Sequence, residues 1–138
     1  MSSLVLDSSA TLAWIYGDET TDAVRGIFDA IADNGAWVPS LWRLEVANSL
    51  TMAVRKRRID LDFRRAALAD LAILDISTDP QTDSQAWTDT LNLADQLRLT
   101  VYDAAYLELA RRRILPLATL DQELRTAATE IGVTVLGS

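Results

Sequence analysis

Four of the twenty acidic residues fall where the local pattern draws a carboxylate away from solvent, and they set the chemistry this chain can do. Asp7 ends the apolar run Leu4-Val5-Leu6, and in an open parallel sheet the carboxyl ends of the strands are where ligands bind. Asp121 follows Leu117-Ala118-Thr119-Leu120 in the same strand-to-helix setting. Glu45 sits in a helical stretch with Leu41, Asn48 and Met52 at neighbouring turns, and is expected on their semi-apolar face. Asp103 opens a helix whose inward face is defined by Tyr106, Leu107 and Ala110 and includes Asp103 itself. Each acid also has a structural reading: the aspartates as helix caps or partners of a helix dipole, Glu45 as half of a salt bridge. The joint pattern points instead to convergence in one pocket. Converging carboxylates repel, and a divalent cation is the simplest way to keep them ionised near neutral pH. Hard oxygen donors select Mg²⁺ or Mn²⁺, and the matching chemistry is phosphoryl transfer or phosphodiester hydrolysis.

Composition narrows the field further. The 138 residues contain no His and no Cys, which excludes a disulfide framework, a sulfur and imidazole zinc site, a thiol nucleophile and a Ser-His-Asp triad. With 49% apolar and 24% charged residues the chain can fill a core, and one domain is expected over residues 1–138. No apolar window of about 18 residues exists, so no membrane span is expected. Met1 to Ala10 carry no basic segment and meet Asp7 early, unlike a secretory leader, so a cytoplasmic location is expected. The net charge of -7 disfavours a nucleic-acid binder that uses its whole surface. A local one remains open. Nine of the thirteen cations fall at Arg55-Lys56-Arg57-Arg58 with Arg64 and Arg65, and at Arg111-Arg112-Arg113. Each run reads either as a phosphate-steering patch or as a solvated helix end favoured by the dipole.

The elements that must position the acids alternate between short apolar strands and helices, which argues an α/β domain with a mostly parallel sheet. Strands are expected at 4–6, 36–39, 74–76, 114–119 and 133–136, with a brief extended segment at 99–101. Helices are expected at about 10–16, 21–32, 60–73, 79–97 and 121–131, in a long stretch from a Ser40 cap to about Arg57, and from near Tyr102.

Four segments carry a family resemblance: Val5-Leu6-Asp7-Ser8-Ser9, Leu44-Glu45-Val46-Ala47-Asn48, Tyr102-Asp103-Ala104-Ala105-Tyr106-Leu107-Glu108-Leu109-Ala110, and Leu117-Ala118-Thr119-Leu120-Asp121. In order and spacing, along essentially the whole chain, they resemble the PIN-domain ribonucleases, specifically the small VapC-type toxins of type II toxin-antitoxin pairs. The resemblance implies a three-layer α/β/α sandwich around a mostly parallel sheet. It also implies an endoribonuclease dependent on Mg²⁺ or Mn²⁺, in which water attacks an RNA phosphodiester to leave a 5′-phosphate and a 3′-hydroxyl. Carried over by position, Asp7, Glu45, Asp103 and Asp121 are the catalytic and metal-binding acids. Ser9 and Thr119 are hydroxyls that orient carboxylates or water, and Asn48 is a polar neighbour. Some relatives carry a further acid three residues after the last one, where Leu124 stands here; Glu123 is expected to point elsewhere on its helix. In this account Arg55, Lys56, Arg57 and Arg58, and Arg111, Arg112 and Arg113, contact RNA. The resemblance further implies a homodimer held inactive by a VapB-type antitoxin whose terminal segment covers the pocket, on a groove built from Trp14, Trp42 and Met52. The competing reading of Trp14, Trp37, Trp42 and Trp87 is that most are core or interface anchors.

Two rivals stand beside this reading. A Mg²⁺-dependent phosphotransfer or phosphatase domain needs a lysine near the phosphate, whereas the sole lysine is Lys56 inside a basic run, and Ser9 stands where the phosphatase pattern has a second Asp. A catalytically idle PIN-like binding module would keep the fold without the chemistry. A nucleotide-binding domain is disfavoured, because neither a Walker A loop nor a glycine-rich dinucleotide fingerprint occurs among the five glycines.

Overall fold

The computed structural model describes residues 3–138. Five short strands, β1 (Leu4–Leu6), β2 (Ala36–Val38), β3 (Ile76–Thr78), β4 (Leu117–Ala118) and β5 (Val135–Leu136), form one sheet. Every pairing is parallel, in the order β3-β2-β1-β4-β5. The helices are α1 (Ser8–Ile15), α2 (Asp22–Asn34), α3 (Trp42–Arg55), α4 (Leu61–Ala72), α5 (Thr82–Gln85), α6 (Asp89–Leu97), α7 (Val101–Arg113) and α8 (Gln122–Glu130). Leu4, Val5 and Leu6 are all buried, which a strand achieves only when both faces of its sheet are covered. The result is the expected three-layer α/β/α sandwich.

The chain lays β1, β2 and β3 outward in one direction, then crosses back to place β4 on the other side of β1. The ends of β1 and β4 therefore form the switch point at which open α/β sheets bind ligands. Local sequence fixes what stands there. Asp7 and Asp121 supply side-chain caps to α1 and α8, as Thr21, Asp60 and Thr100 do for α2, α4 and α7. Gly137, just past β5, has φ +124°, and a Cβ there would fall 2.8 Å from the Thr119 carbonyl oxygen. Only glycine lets the chain end back so closely onto the turn between β4 and α8.

Several boundaries differ from those expected. The third strand lies two residues later than 74–76, at an edge of the sheet where Ile76 and Ser77 are half-buried and Thr78 is exposed, so burial gives it no clear signature. The extended segment before α7 forms no strand: Thr100 has extended backbone but caps the helix, and Val101 already belongs to it. The helix runs to Arg113 and ends on Ile114 at φ +57°, which shortens the expected 114–119 strand to two residues. The 79–97 stretch is broken into α5 and α6 at Trp87 and Thr88. Ser40 does not cap α3; its hydroxyl donates to Asp83 Oδ1 at 3.2 Å. Among the described residues no helix is long and apolar enough to cross a membrane.

Candidate active site

Asp7 is the centre of the switch point. It is 4% exposed, and its carboxylate is held from three sides. Oδ1 accepts from the Ala10 N–H at 2.9 Å and from the Ser9 hydroxyl at 2.7 Å, while Oδ2 accepts from the Thr119 hydroxyl. Each hydroxyl is itself fixed by a backbone N–H of the turn after β4. Ser9 Oγ accepts from the Leu120 N–H at 2.9 Å and Thr119 Oγ1 from the Asp121 N–H at 3.1 Å. The turn after β1 and the turn after β4 are thus laced together through one carboxylate. Burial still dominates and raises the Asp7 carboxyl, with Asp121 adding to the rise and the three donors opposing it.

Asp121 is half-buried and also accepts from the Glu123 N–H at 3.0 Å. Asp103, half-buried in the first turn of α7, is pushed up to about 6, first by burial and then by the charges of Asp121, Glu45, Asp7 and Glu123. That list defines the site electrostatically: the other three expected acids act on the Asp103 carboxyl, and Glu123 joins them. Glu45 is anchored by the Tyr106 hydroxyl, which donates to Oε1 at 2.5 Å. Tyr106, one turn after Asp103 on α7, is buried, and burial and the Glu45 carboxylate together raise its hydroxyl well above the usual tyrosine range. Among the described residues no Lys or Arg forms an ion pair with Asp7, Glu45, Asp103 or Asp121. Nor do any three acidic groups among them stand close enough, as placed, to hold a metal ion together. The donors are hard oxygens with uncompensated charge, which fits Mg²⁺ or Mn²⁺ in kind, in an open arrangement that a cation would have to draw together.

Other expectations are corrected by the packing. The apolar face of α3 is Trp42, Val46, Leu50 and Ala53, so Glu45 rides its half-buried edge, while Asn48 and Met52 are exposed. Glu123 is exposed and its charge acts on Asp103, and Leu124 is buried in the core. Trp42 cannot line a groove: it is buried, with its indole N–H donating to Thr11 Oγ1 at 3.0 Å. Trp14 is half-buried and stacks on Phe28 at 4.5 Å between centroids, whereas Trp87 is 90% exposed.

The basic runs separate. Arg55, Lys56, Arg57 and Arg58 are all exposed. Of the second run only Arg111 is; Arg112 and Arg113 are committed to a network the sequence reading missed. Arg112 Nη2 meets Asp79 Oδ2 at 2.6 Å and its Nε meets Glu108 Oε2 at 2.7 Å, while Arg113 Nη2 meets Asp79 Oδ1 at 2.9 Å. The Arg113 guanidinium also lies over the Trp37 ring at 3.6 Å. Glu108 is itself only 3% exposed. Its four-residue spacing to Arg112 was the one local signal of this network.

No curated protein sequence matches the chain. The crystal structure of PAE2754 from Pyrobaculum aerophilum superposes with a TM-score of 0.67, covering 98% of this chain and 92% of that one at 24% identity. It shares the fold. The PIN domain family profile matches residues 4–130, a span that takes in every element from β1 to α8, and the chain belongs to the PIN domain family.

Proposed function

We propose that this protein is a metal-dependent endoribonuclease that hydrolyses RNA phosphodiester bonds at the crevice between the ends of β1 and β4. The PIN fold is a nuclease-type fold, commonly metal-dependent. The observation that carries the reading is the shared field at Asp103: burial and then four neighbouring carboxylates raise its carboxyl to about 6, and none of the four expected acids has a cationic partner among the described residues. Asp7, Glu45, Asp103 and Asp121 would hold Mg²⁺ or Mn²⁺. Such an ion, when bound, lowers the pKa of a bound water and neutralises charge developing on the phosphate. The chain's own part is orientation. Ser9 and Thr119 fix both oxygens of Asp7, Thr119 also holds the Asp121 backbone, and Tyr106 pins Glu45 so that its free oxygen faces a defined direction. Asp103 gives the pocket its full negative charge only above about pH 6.

We further propose a VapC-type toxin: a cytoplasmic homodimer restrained by a VapB-type antitoxin. What supports it is the resemblance of the four acid-bearing segments. A catalytically idle binding module is favoured by one observation: among the described residues no three acids stand close enough, as placed, to hold a metal. The test is cleavage of a pool of small RNAs by partner-free protein with Mg²⁺, Mn²⁺ or EDTA, beside Asp7→Asn prepared identically. Metal-dependent cuts at discrete positions, absent from the variant, are expected. Equal behaviour of the two proteins would overturn the nuclease reading.

A further inference from the structure

Thr119 is fully buried and bonded through every polar group it has. Its hydroxyl donates to Asp7 Oδ2 and accepts from the Asp121 N–H at 3.1 Å, so a shift of Thr119 disturbs two of the four acids. Its N–H donates to the Leu136 carbonyl of β5 at 3.1 Å, and its own carbonyl accepts from Arg125 Nη1 at 2.8 Å. The same arginine nitrogen donates to the Leu136 carbonyl at 2.9 Å, and Nη2 donates to the Ser138 hydroxyl at 2.7 Å. One guanidinium therefore ties the turn after β4 to the end of β5 and to the residues that follow it.

Arg125 stands one turn after Asp121 on α8, half-buried, with its N–H on the Asp121 carbonyl at 2.9 Å. It forms no ion pair among the described residues; its donors go to two neutral carbonyls and a hydroxyl. The planar fork suits that task, because it donates along several fixed directions at once, which an ammonium on a flexible stem does not. Gly137 completes the seat. A Cβ there would fall 2.8 Å from the Thr119 carbonyl oxygen and 3.3 Å from Arg125 Nη1, so a residue without a side chain is what lets guanidinium and strand end meet over that carbonyl. Without the guanidinium the Thr119 carbonyl loses the donor that fixes it in a buried position.

We propose that Arg125 is a positioning residue for the pocket, acting through Thr119 on the Asp7 and Asp121 carboxylates and so on their hold on a divalent cation. This rests on the metal-dependent reading of the site. Charge and positioning predict opposite signs here. If Arg125 acted through its field alone, removing a cation from beside the acids would tighten the binding of a divalent cation. Acting by fixing Thr119, its removal loosens the carboxylates and weakens that binding. Groups that orient metal ligands from outside the coordination sphere contribute about ten- to a hundredfold in affinity, enough to exceed the opposing effect of one half-buried charge.

The test uses full-length protein and Mn²⁺ alone, titrated calorimetrically at a temperature where each protein is folded. Arg125→Met is expected to weaken Mn²⁺ binding about tenfold, and Arg125→Lys, whose ammonium can still donate to the Thr119 carbonyl, to recover part of that loss. Gly137→Ala keeps the guanidinium but pushes the strand end off the Thr119 carbonyl, and should weaken binding about threefold. Amide exchange supplies a readout without metal. The Leu120 and Asp121 N–H groups, held by Ser9 Oγ and Thr119 Oγ1, should exchange about tenfold faster in Arg125→Met relative to those of β1. Unchanged or tighter Mn²⁺ binding in Arg125→Met would overturn the proposal and leave Arg125 a structural tie or a source of charge. Should that variant fail to fold, Gly137→Ala decides, and binding at wild-type strength there would overturn it equally. Wild type that takes up no Mn²⁺, while the two amides still loosen in Arg125→Met, would retire the metal-dependent reading itself and reduce Arg125 to holding the turn.

Discussion

Asp7 and Asp79 each follow a strand of the same parallel sheet, and at 4% and 2% exposure they are equally cut off from water, yet their carboxyls move in opposite directions. For both, burial is the largest influence and acts upward. At Asp79 hydrogen bonds from Arg112, Arg113 and Thr82 overcome it and hold the carboxyl down at about 2. At Asp7 the donors are an amide and two hydroxyls, which orient the group without cancelling its charge, so it stays raised. The difference separates two uses of a buried acid. The Asp79 network is electrostatically complete and ties α7 to the segment after β3; the Asp7 pocket is held in place but left short of positive charge.

The comparison breaks most visibly through activity. Asp7→Asn and Asp103→Asn should each lower metal-dependent RNA cleavage about a thousandfold, roughly 4 kcal/mol of barrier, while urea unfolding midpoints stay near wild type or above. Loss of the fold in both variants would move these residues to the structural side. Asp79→Ala should do the opposite: destabilise by about 3 kcal/mol in urea unfolding, because it leaves Arg113 without a carboxylate and Arg112 with Glu108 alone, and leave Mn²⁺ binding unchanged. A smaller contrast lies between two glutamates. Glu108→Gln weakens the bonds to Arg112 and should cost about 1.5 kcal/mol of stability with little effect on cleavage, whereas Glu45→Gln should cost cleavage more than stability. Equal losses of cleavage from the two would contradict the pocket assignment.

The finest effect is in pH. Asp103 has an ordinary value of 3.8 and a folded value of about 6. Between these the folded chain holds a proton that the unfolded chain releases, so the penalty is absent below the lower value, grows as pH rises and is complete above the higher one. Metal-free wild type should therefore melt lower, relative to Asp103→Asn, at pH 7 than at pH 4. Asp79 runs the other way: its contribution is present above 3.8 and is lost as pH falls through about 2. A gap between wild type and Asp103→Asn that ignores pH would remove the charge crowding from the account.

Much of this was legible in the sequence because it is local. A strand that ends on Asp7 and a helix that begins near Asp103 announce themselves through apolar runs and capping residues, and the parallel sheet follows from their alternation. What stayed hidden depends on contacts between distant residues. Asp79 meets Arg112 and Arg113 33 and 34 residues later, and Tyr106 reaches Glu45 across 61, with no periodicity to reveal either. Short edge strands such as β3, half-buried and two residues from their expected place, lack the burial pattern that sequence reading relies on. The four acids were named from their strand-end and helix-face positions; that the other three act on Asp103, and that Glu123 joins them, required the fold.

The most direct test is the unfolding temperature of wild type and Asp103→Asn at pH 7.5 with and without Mn²⁺. The account predicts that Mn²⁺ raises the wild-type transition, because it binds the folded pocket alone, and leaves Asp103→Asn nearly where it was. An equal shift in both proteins, or none in either, would mean that these carboxylates do not share a cation.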